Sequence, residues 1–147
     1  MKSKSIMMAG ITDDIRRIFH VLTEQSRKVE HEIGLTGSQL WVVKMLYETA
    51  NMKVSDLARR MYLHPATMVG LLDRLEVKGL VQRTRSEKDR RVVYVTITAQ
   101  GRELVEKSPE VAQGLLSKGL ELLTEKKIKV ISDGLELIVN ILEAQDE

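Results

Sequence analysis

Two runs rich in β-branched residues, Leu80 to Arg85 and Val92 to Ile97, enclose a polar hexamer, Ser86 to Arg91. Elsewhere the apolar residues recur mainly at the helical spacing of three and four. The pattern predicts a single β-hairpin with a charged tip, set into an otherwise helical chain. The expected fold class is therefore mainly α with a small β-hairpin.

The segments before the hairpin read as four helices. Ile11, Ile15, Ile18, Leu22, Val29 and Ile33 mark a first long helix over Thr12 to Ile33, which Gly34 ends. Thr36 and Gln39 form a capping box for a second helix, about Gly37 to Thr49. It is expected to bury Leu40, Val43 or Trp41, and Leu46 or Tyr47. A turn around Ala50 to Lys53 follows. Ser55 then caps a short helix, Asp56 to Met61, which turns Leu57, Ala58 and Met61 inward. His64 and Pro65 mark the next start, because proline is favoured in a first turn, where its missing amide costs nothing. That helix runs through Leu71, Leu72 and Leu75 to Lys78 and stops at Gly79. Met61, Met68 and Leu72 read as core.

Beyond the hairpin, Thr98 caps a helix carrying Leu104 and Val105 that either continues or kinks at Pro109. The last helix, about Thr124 to Ala144, repeats Ile128, Ile131, Leu135, Ile138 and Leu142 at three and four. Val130, Leu137 and Ile141 form an adjacent stripe. One contact face needs one stripe, so the second predicts dimerisation. The competing arrangement is a monomeric bundle in which the first and last helices cover each other.

Composition narrows the function. A chain of 147 residues that is 43% hydrophobic is expected to form one compact unit. No apolar run approaches the ~20 residues of a membrane span, and Ile6 to Ala9 after Lys2 and Lys4 is too short for a signal-peptide core. The expected location is the cytoplasm. The absence of cysteine excludes disulfides, thiol nucleophiles, thiol redox sensing and cysteine-based zinc sites. With only Phe19, Trp41, Tyr47, Tyr62 and Tyr94 aromatic, stacking platforms for single strands are not expected. His31 and Glu32 fail as a metalloprotease motif because position 35 is Leu. His20 and His31 lie about 16 Å apart along one helix, too far for one ion in a single chain. Glu24, one turn after His20, leaves open an intersubunit site or a solvated polar stripe. No phosphate loop, dinucleotide fingerprint or nucleophile elbow occurs. Neither an enzyme, nor a metal, nor a cofactor is expected.

Charge is unevenly spread. Residues 1–52 carry a formal +1, 53–91 carry +5, and 101–147 carry −4, so a basic centre sits between near-neutral and acidic flanks. Short helix, turn, helix opened by Pro65, then a hairpin tipped by Lys88, Arg90 and Arg91 is the order of a winged helix-turn-helix. The second helix of such a motif fits a B-DNA major groove, and the hairpin can place an arginine in the minor groove. Asp89 is positioned to orient one of the tip cations, Arg91 first among them, by a charge-assisted hydrogen bond. Arg74 has the alternative of pairing with Asp89 or Asp73, and the tip itself reads alternatively as a solvated turn.

These residues also resemble a known family. Leu35, Thr36 and Gln39, then Leu72-Asp73-Arg74-Leu75-Glu76, Lys78-Gly79-Leu80-Val81 and Arg83, then Asp89-Arg90-Arg91, Thr96-Ile97-Thr98 and Gly101 resemble the signature of MarR-type regulators over about Leu35 to Leu104. The resemblance implies a single domain over 1–147, with a winged helix-turn-helix lobe at 35–98 and dimerisation helices at 11–33 and 99–145. It implies a homodimer with interlocked first and last helices that reads a two-fold operator in double-stranded DNA, usually as a repressor. Pro65, Ala66, Thr67, Val69, Gly70 and Arg74 on the recognition helix, and Arg90 and Arg91 on the wing, match the family's DNA contacts. The resemblance further implies an effector pocket where the dimer helices meet the lobe, often for small aromatic or phenolic anions. His20, Trp41 and Met45 are its candidates, each of which also reads as a core residue.

Ala66, Val69 and Gly70 stand where polar base readers would serve, which leaves Thr67 as the direct hydrogen-bonding candidate. An A·T-rich, partly shape-read pseudo-palindrome is expected, with recognition helices about one DNA turn apart. The alternative function is a winged-helix protein-interaction module that does not bind DNA.

Overall fold

Thr36 and Gln39 cap each other across the first turn of α2 (Gly37–Glu48). The Thr36 hydroxyl accepts the Gln39 amide at 3.2 Å, and the Gln39 carboxamide oxygen accepts the Thr36 amide at 3.0 Å. In the computed structural model, which describes residues 3–145, α2 follows α1 (Lys4–Ile33). Lys2, used in the reading of the N-terminus, lies outside the described residues. After α2 come β1 (Met52–Lys53), α3 (Val54–Arg60), α4 (Pro65–Val77), β2 (Val81–Arg85) and β3 (Val93–Ile97). Next are α5 (Ala99–Lys107), α6 (Ala112–Glu121) and α7 (Glu125–Glu143). The protein is mainly α with one small antiparallel sheet, in the order β1-β3-β2.

The chain forms two compact units, one ending at Val111 and the other beginning at Ala112. The first holds the core. Leu40, Val43 and Leu46 of α2, Leu57 of α3 and Met68, Leu72 and Leu75 of α4 are fully buried, and Leu80, Val81 and Val95 close the core from the sheet side. Burial of each such side chain contributes about 1.5–3 kcal/mol. Of the alternatives on α2, Val43 and Leu46 are buried while Trp41 and Tyr47 are half-buried. On α4 the buried residues are spaced four and then three apart, which leaves the opposite face to solvent.

The hairpin has the expected strands. β2 and β3 run from the Val81–Ile97 pair to the Arg85–Val93 pair. Segment 50–53 is more than a turn, because Met52 and Lys53 pair with Val95 and Tyr94 on the free edge of β3. That pairing sets the chain direction, so α3 starts at once at Val54. Lys53, not Ser55, occupies the cap position, with no side-chain cap bond. Asp56 still lies in the positively polarised first turn.

Two other boundaries differ from expectation. α1 begins at Lys4 rather than near Thr12, because the Ser3 hydroxyl accepts the Ile6 amide and caps an earlier turn. α5 neither continues nor kinks at Pro109. It ends at Lys107, and Lys44 Nζ holds the departing chain through the Pro109 carbonyl at 2.9 Å and Glu110 Oε1 at 3.2 Å. In the second unit, Thr124 caps α7 by accepting the Lys127 amide, close to the start expected for the last helix. Neither α6 nor α7 holds a buried residue. Ile128, Ile131, Leu135 and Leu142 on one stripe of α7, and Val130, Leu137 and Ile141 on the other, are exposed. On α1, Ile11, Ile18, Phe19 and Leu22 are likewise exposed. No described helix is long and apolar enough to cross a membrane.

Three helices of the first unit, α1, α3 and α4, end on left-handed residues. Gly79 (φ 75°) closes α4, with the Leu80 amide bonded to the Leu75 carbonyl and the Gly79 amide to that of Glu76. The same Schellman pattern closes α3, with Leu63 bonded to Ala58 and Tyr62 to Arg59, but the left-handed residue is Tyr62 (φ 53°). A residue with a β-carbon is disfavoured there by about 1–2 kcal/mol.

Among the described glycines, the closest approach of neighbouring atoms is at Gly101, in the first turn of α5. An added Cβ would stand 2.3 Å from the Leu80 carbonyl oxygen and 2.7 Å from Ile97 Cγ1. Gly101→Ala is therefore expected to destabilise the protein by about 2–3 kcal/mol, read as a lower urea midpoint. A midpoint equal to that of the unaltered protein would show that α5 can shift away without cost.

Candidate nucleic-acid interface

The sequence order helix, turn, helix becomes a presenting surface because Pro65 starts α4 without a side-chain cap. His64 holds the cap position but makes no cap bond, so the first-turn amides of Ala66 and Thr67 receive no protein side chain. They face outward at the positive end of a helix, a setting that attracts anions. Pro65, Ala66, Thr67, Val69, Gly70 and Arg74 are all exposed, on the face opposite Met68, Leu72 and Leu75. A Cβ added at Gly70 would meet nothing within 4 Å, so packing within the chain does not require glycine at that position.

The loop that joins β2 to β3 is held by its own backbone. The Ser86 amide bonds to the Val92 carbonyl at 2.8 Å, the Val92 amide to the Asp89 carbonyl at 2.9 Å, and Arg85 Nη1 donates to the Arg90 carbonyl at 2.7 Å. Lys88, Arg90 and Arg91 project from this frame and are exposed. Asp89 takes Arg91 in a fork: Nε donates to Oδ1 at 3.1 Å, Nη2 to Oδ2 at 3.3 Å, and the Arg91 amide also donates to Oδ1 at 3.0 Å. The side-chain bonds, then the backbone bond, hold the Asp89 carboxyl below its ordinary value. Its folded pKa is depressed, so the pairing is present above the unfolded carboxylate pKa and is lost as pH falls through the folded one. Arg91 remains 91% exposed and can turn to another anion.

Arg74 pairs with neither Asp73 nor Asp89. Both carboxylates have other partners, and among the described residues Arg74 forms no ion pair. Asp73 and Glu76 instead converge on Arg83 of β2, whose Nε donates to Glu76 Oε2 at 2.7 Å while Nη2 donates to Asp73. Partial burial pulls the guanidinium pKa down, but the bonds to Asp73 and Glu76 outweigh it, and the net shift is upward. Arg83 thereby ties the hairpin to α4 and neutralises two acids beside the exposed cations. Its identity stood in the sequence pattern, but its partners did not, because a contact from strand to helix has no period to reveal it.

Trp41 and Met45 lie one turn apart on α2 and are half-buried against the core, whereas His20 stands exposed on α1. Among the described residues, no group of three or more His, Cys, Asp or Glu side chains is arranged to hold a metal ion.

The family model for MarR matches residues 35–93. The transcriptional repressor MdtR of Bacillus subtilis (strain 168) is 30% identical over 128 residues, which cover 87% of this chain and 83% of that protein. The chain belongs to the MarR family. This is a family of transcriptional regulators, not of enzymes. Among solved structures, the regulator BldR from Sulfolobus solfataricus is similar at 26% identity and a TM-score of 0.68, over 95% of this chain and 99% of that one. FabT of Streptococcus pneumoniae, solved in complex with DNA, shares the fold at 23% identity and a TM-score of 0.68, over 93% of this chain and 98% of that one.

Replacing Arg91 with Ala removes both side-chain bonds to Asp89. The Asp89 carboxyl is then expected to titrate closer to its ordinary value, as read by ¹³C NMR of its carboxyl carbon. An unchanged titration would mean that the fork does not persist in solution.

Proposed function

We propose that this MarR-family regulator binds double-stranded DNA as a homodimer and represses transcription from an A·T-rich pseudo-palindromic operator in the cytoplasm. The observation that carries the proposal is the alignment of two features on one lobe. An uncapped helix start lies on α4, and Lys88, Arg90 and Arg91 form an exposed cationic tip beyond a hairpin clamped to α4 by Arg83. The helix suits the major groove, with Thr67 as the polar reader and Ala66 and Val69 as partners for thymine methyls. Gly70 admits close approach, and Arg74 is free to meet a phosphate. The wing arginines suit a narrow A·T-rich minor groove. Lys88, Arg90 and Arg74 form no ion pair among the described residues, so an anion gains their full charge.

Dimerisation is supported by the unburied apolar stripes on α1 and on α7; a standard interface buries ~1,600 Å². Two copies would place two wings and two recognition helices on successive faces of a duplex. An effector held near His20, Trp41 and Met45 would release DNA by favouring a conformer with mis-spaced helices, and the coupling would be reciprocal. A small aromatic or phenolic anion is the class proposed for it.

Selection of genomic fragments by the purified protein, followed by anisotropy titrations across salt, tests the proposal. Arg91→Ala is expected to weaken duplex binding and to reduce the salt slope by about 1, because one fewer cation on the duplex releases fewer counterions. Sedimentation should give twice the 16.7 kDa chain mass. A single-chain mass, or no preference for duplex over a heparin competitor, would favour a protein-interaction module instead.

A further inference from the structure

Tyr62 is the one non-glycine residue with positive φ among the described residues. It occupies the helix-closing position that glycine takes at the ends of α1 and α4, where Gly34 (φ 73°) and Gly79 (φ 75°) stand. Glycine would close the turn after α3 with less strain. The tyrosine side chain gains no packing in return: it is 96% exposed, the most exposed of the large hydrophobic residues among those described, and its hydroxyl makes no hydrogen bond to a described residue. Its neighbour Leu63, by contrast, packs against the core and anchors the turn. The fold therefore supplies no reason for a phenol at position 62.

The surroundings suggest what the phenol meets. Tyr62 sits in the turn just before Pro65, beside the uncapped start of the recognition helix. Residues 57–72 include Arg59, Arg60 and His64 but no acidic side chain. Arg59 pairs with Asp56 at 3.2 Å, and Arg60 forms no ion pair among the described residues. A phenolic hydroxyl beside exposed basic side chains is a donor suited to a phosphate oxygen, and its ring can lie against the apolar face of a deoxyribose.

We propose that Tyr62 is an additional DNA-contacting residue that donates its hydroxyl to the sugar-phosphate backbone flanking the groove entered by α4, with the exposed phenol held in place by its left-handed backbone. This rests on the duplex-binding reading above and extends the contact set into the turn between α3 and α4. The contact carries no sequence information. Its loss should weaken operator and scrambled duplexes alike, and should leave the salt slope unchanged because a hydroxyl displaces no counterion.

The test uses the full chain and a labelled duplex of about three helical turns, selected by the protein from genomic fragments, with a scrambled duplex of equal composition beside it. Tyr62→Phe keeps the ring and removes the hydroxyl; its Kd is expected to rise about 3- to 10-fold on both duplexes, the loss of one hydrogen bond. Tyr62→Gly relieves the φ strain, and is expected to bind at least as weakly as Tyr62→Phe while its Tm stays level or rises. A Phe variant with the affinity of the unaltered protein would overturn the proposal, as would a Gly variant with a lowered Tm, which would make Tyr62 structural. If the unaltered protein binds no duplex, the duplex-binding reading fails and this one with it. If it binds and Tyr62→Phe binds equally well, only the role of Tyr62 fails.

Discussion

One hydroxyl holds the junction on which the rest of the lobe depends. Thr98 Oγ1 donates to the Gly79 carbonyl at 2.6 Å and accepts the Gly101 amide at 3.1 Å, while the Thr98 amide bonds to the Leu80 carbonyl at 3.1 Å. The end of α4, the root of the hairpin and the start of α5 meet at this point. Gly101 allows the close approach, and Gly79 turns the chain through a left-handed residue so that Leu80 enters the core. Farther along, Arg83 adds a second tie from β2 back to Asp73 and Glu76. With two separated attachments, the hairpin has little freedom to rotate against α4. A protein that reads a surface through a helix and a hairpin at once needs that rigidity, because an ångström of misplacement forfeits one contact or the other.

The elements most legible in the sequence were those whose signals are local. The Thr36 and Gln39 box, the Pro65 start, the Gly79 stop and the Thr98 cap each act within a turn of the residue that announces them. The hairpin stood out because its period differs from all that surrounds it. What escaped depends on distant partners. β1 is two residues long, too short for any alternation, and exists because β3 has an open edge. The pairing of Arg83 rather than Arg74 with Asp73 needs the strand to be laid against the helix before it can be seen. The early start of α1 rests on a weak serine cap followed by residues whose periodicity faces no core within the chain.

At the candidate site the same division holds. The residue types at the wing and on α4 were readable, and family membership followed from their order. The geometry of Tyr62 was not, since a left-handed tyrosine leaves no trace in a sequence where glycine is the usual sign of that conformation. The division into two units was not read from the sequence either: the turn to net negative charge beyond residue 100 was assigned to a flanking helical region of one compact unit.

Stability and presentation pull against each other over a small area of this lobe. Gly70 lies mid-helix, where an alanine would fit and favour the helix by roughly 0.5–1 kcal/mol. Tyr62 holds a disfavoured φ with its ring in water, His64 leaves a helix start uncapped, and Lys88, Arg90 and Arg91 crowd like charges on one turn that Asp89 relieves only in part. Each would be improved by a commonplace substitution if the free protein were the only state that mattered. Gly101, Gly79, Thr98 and the capping box, by contrast, are the residues the fold itself requires. Local costs gathered on one face, above a core with no such faults, are what a surface shaped for a bound state would show. On the duplex-binding proposal, a backbone that approaches closely would favour Gly70, and a row of phosphates would repay both the open helix end and the crowded cations. The exposed apolar stripes of α1 and α7 fit the same logic for a protein partner, since a helix without buried residues, as α7 is, gains most of its stability from tertiary contacts that a second copy would supply.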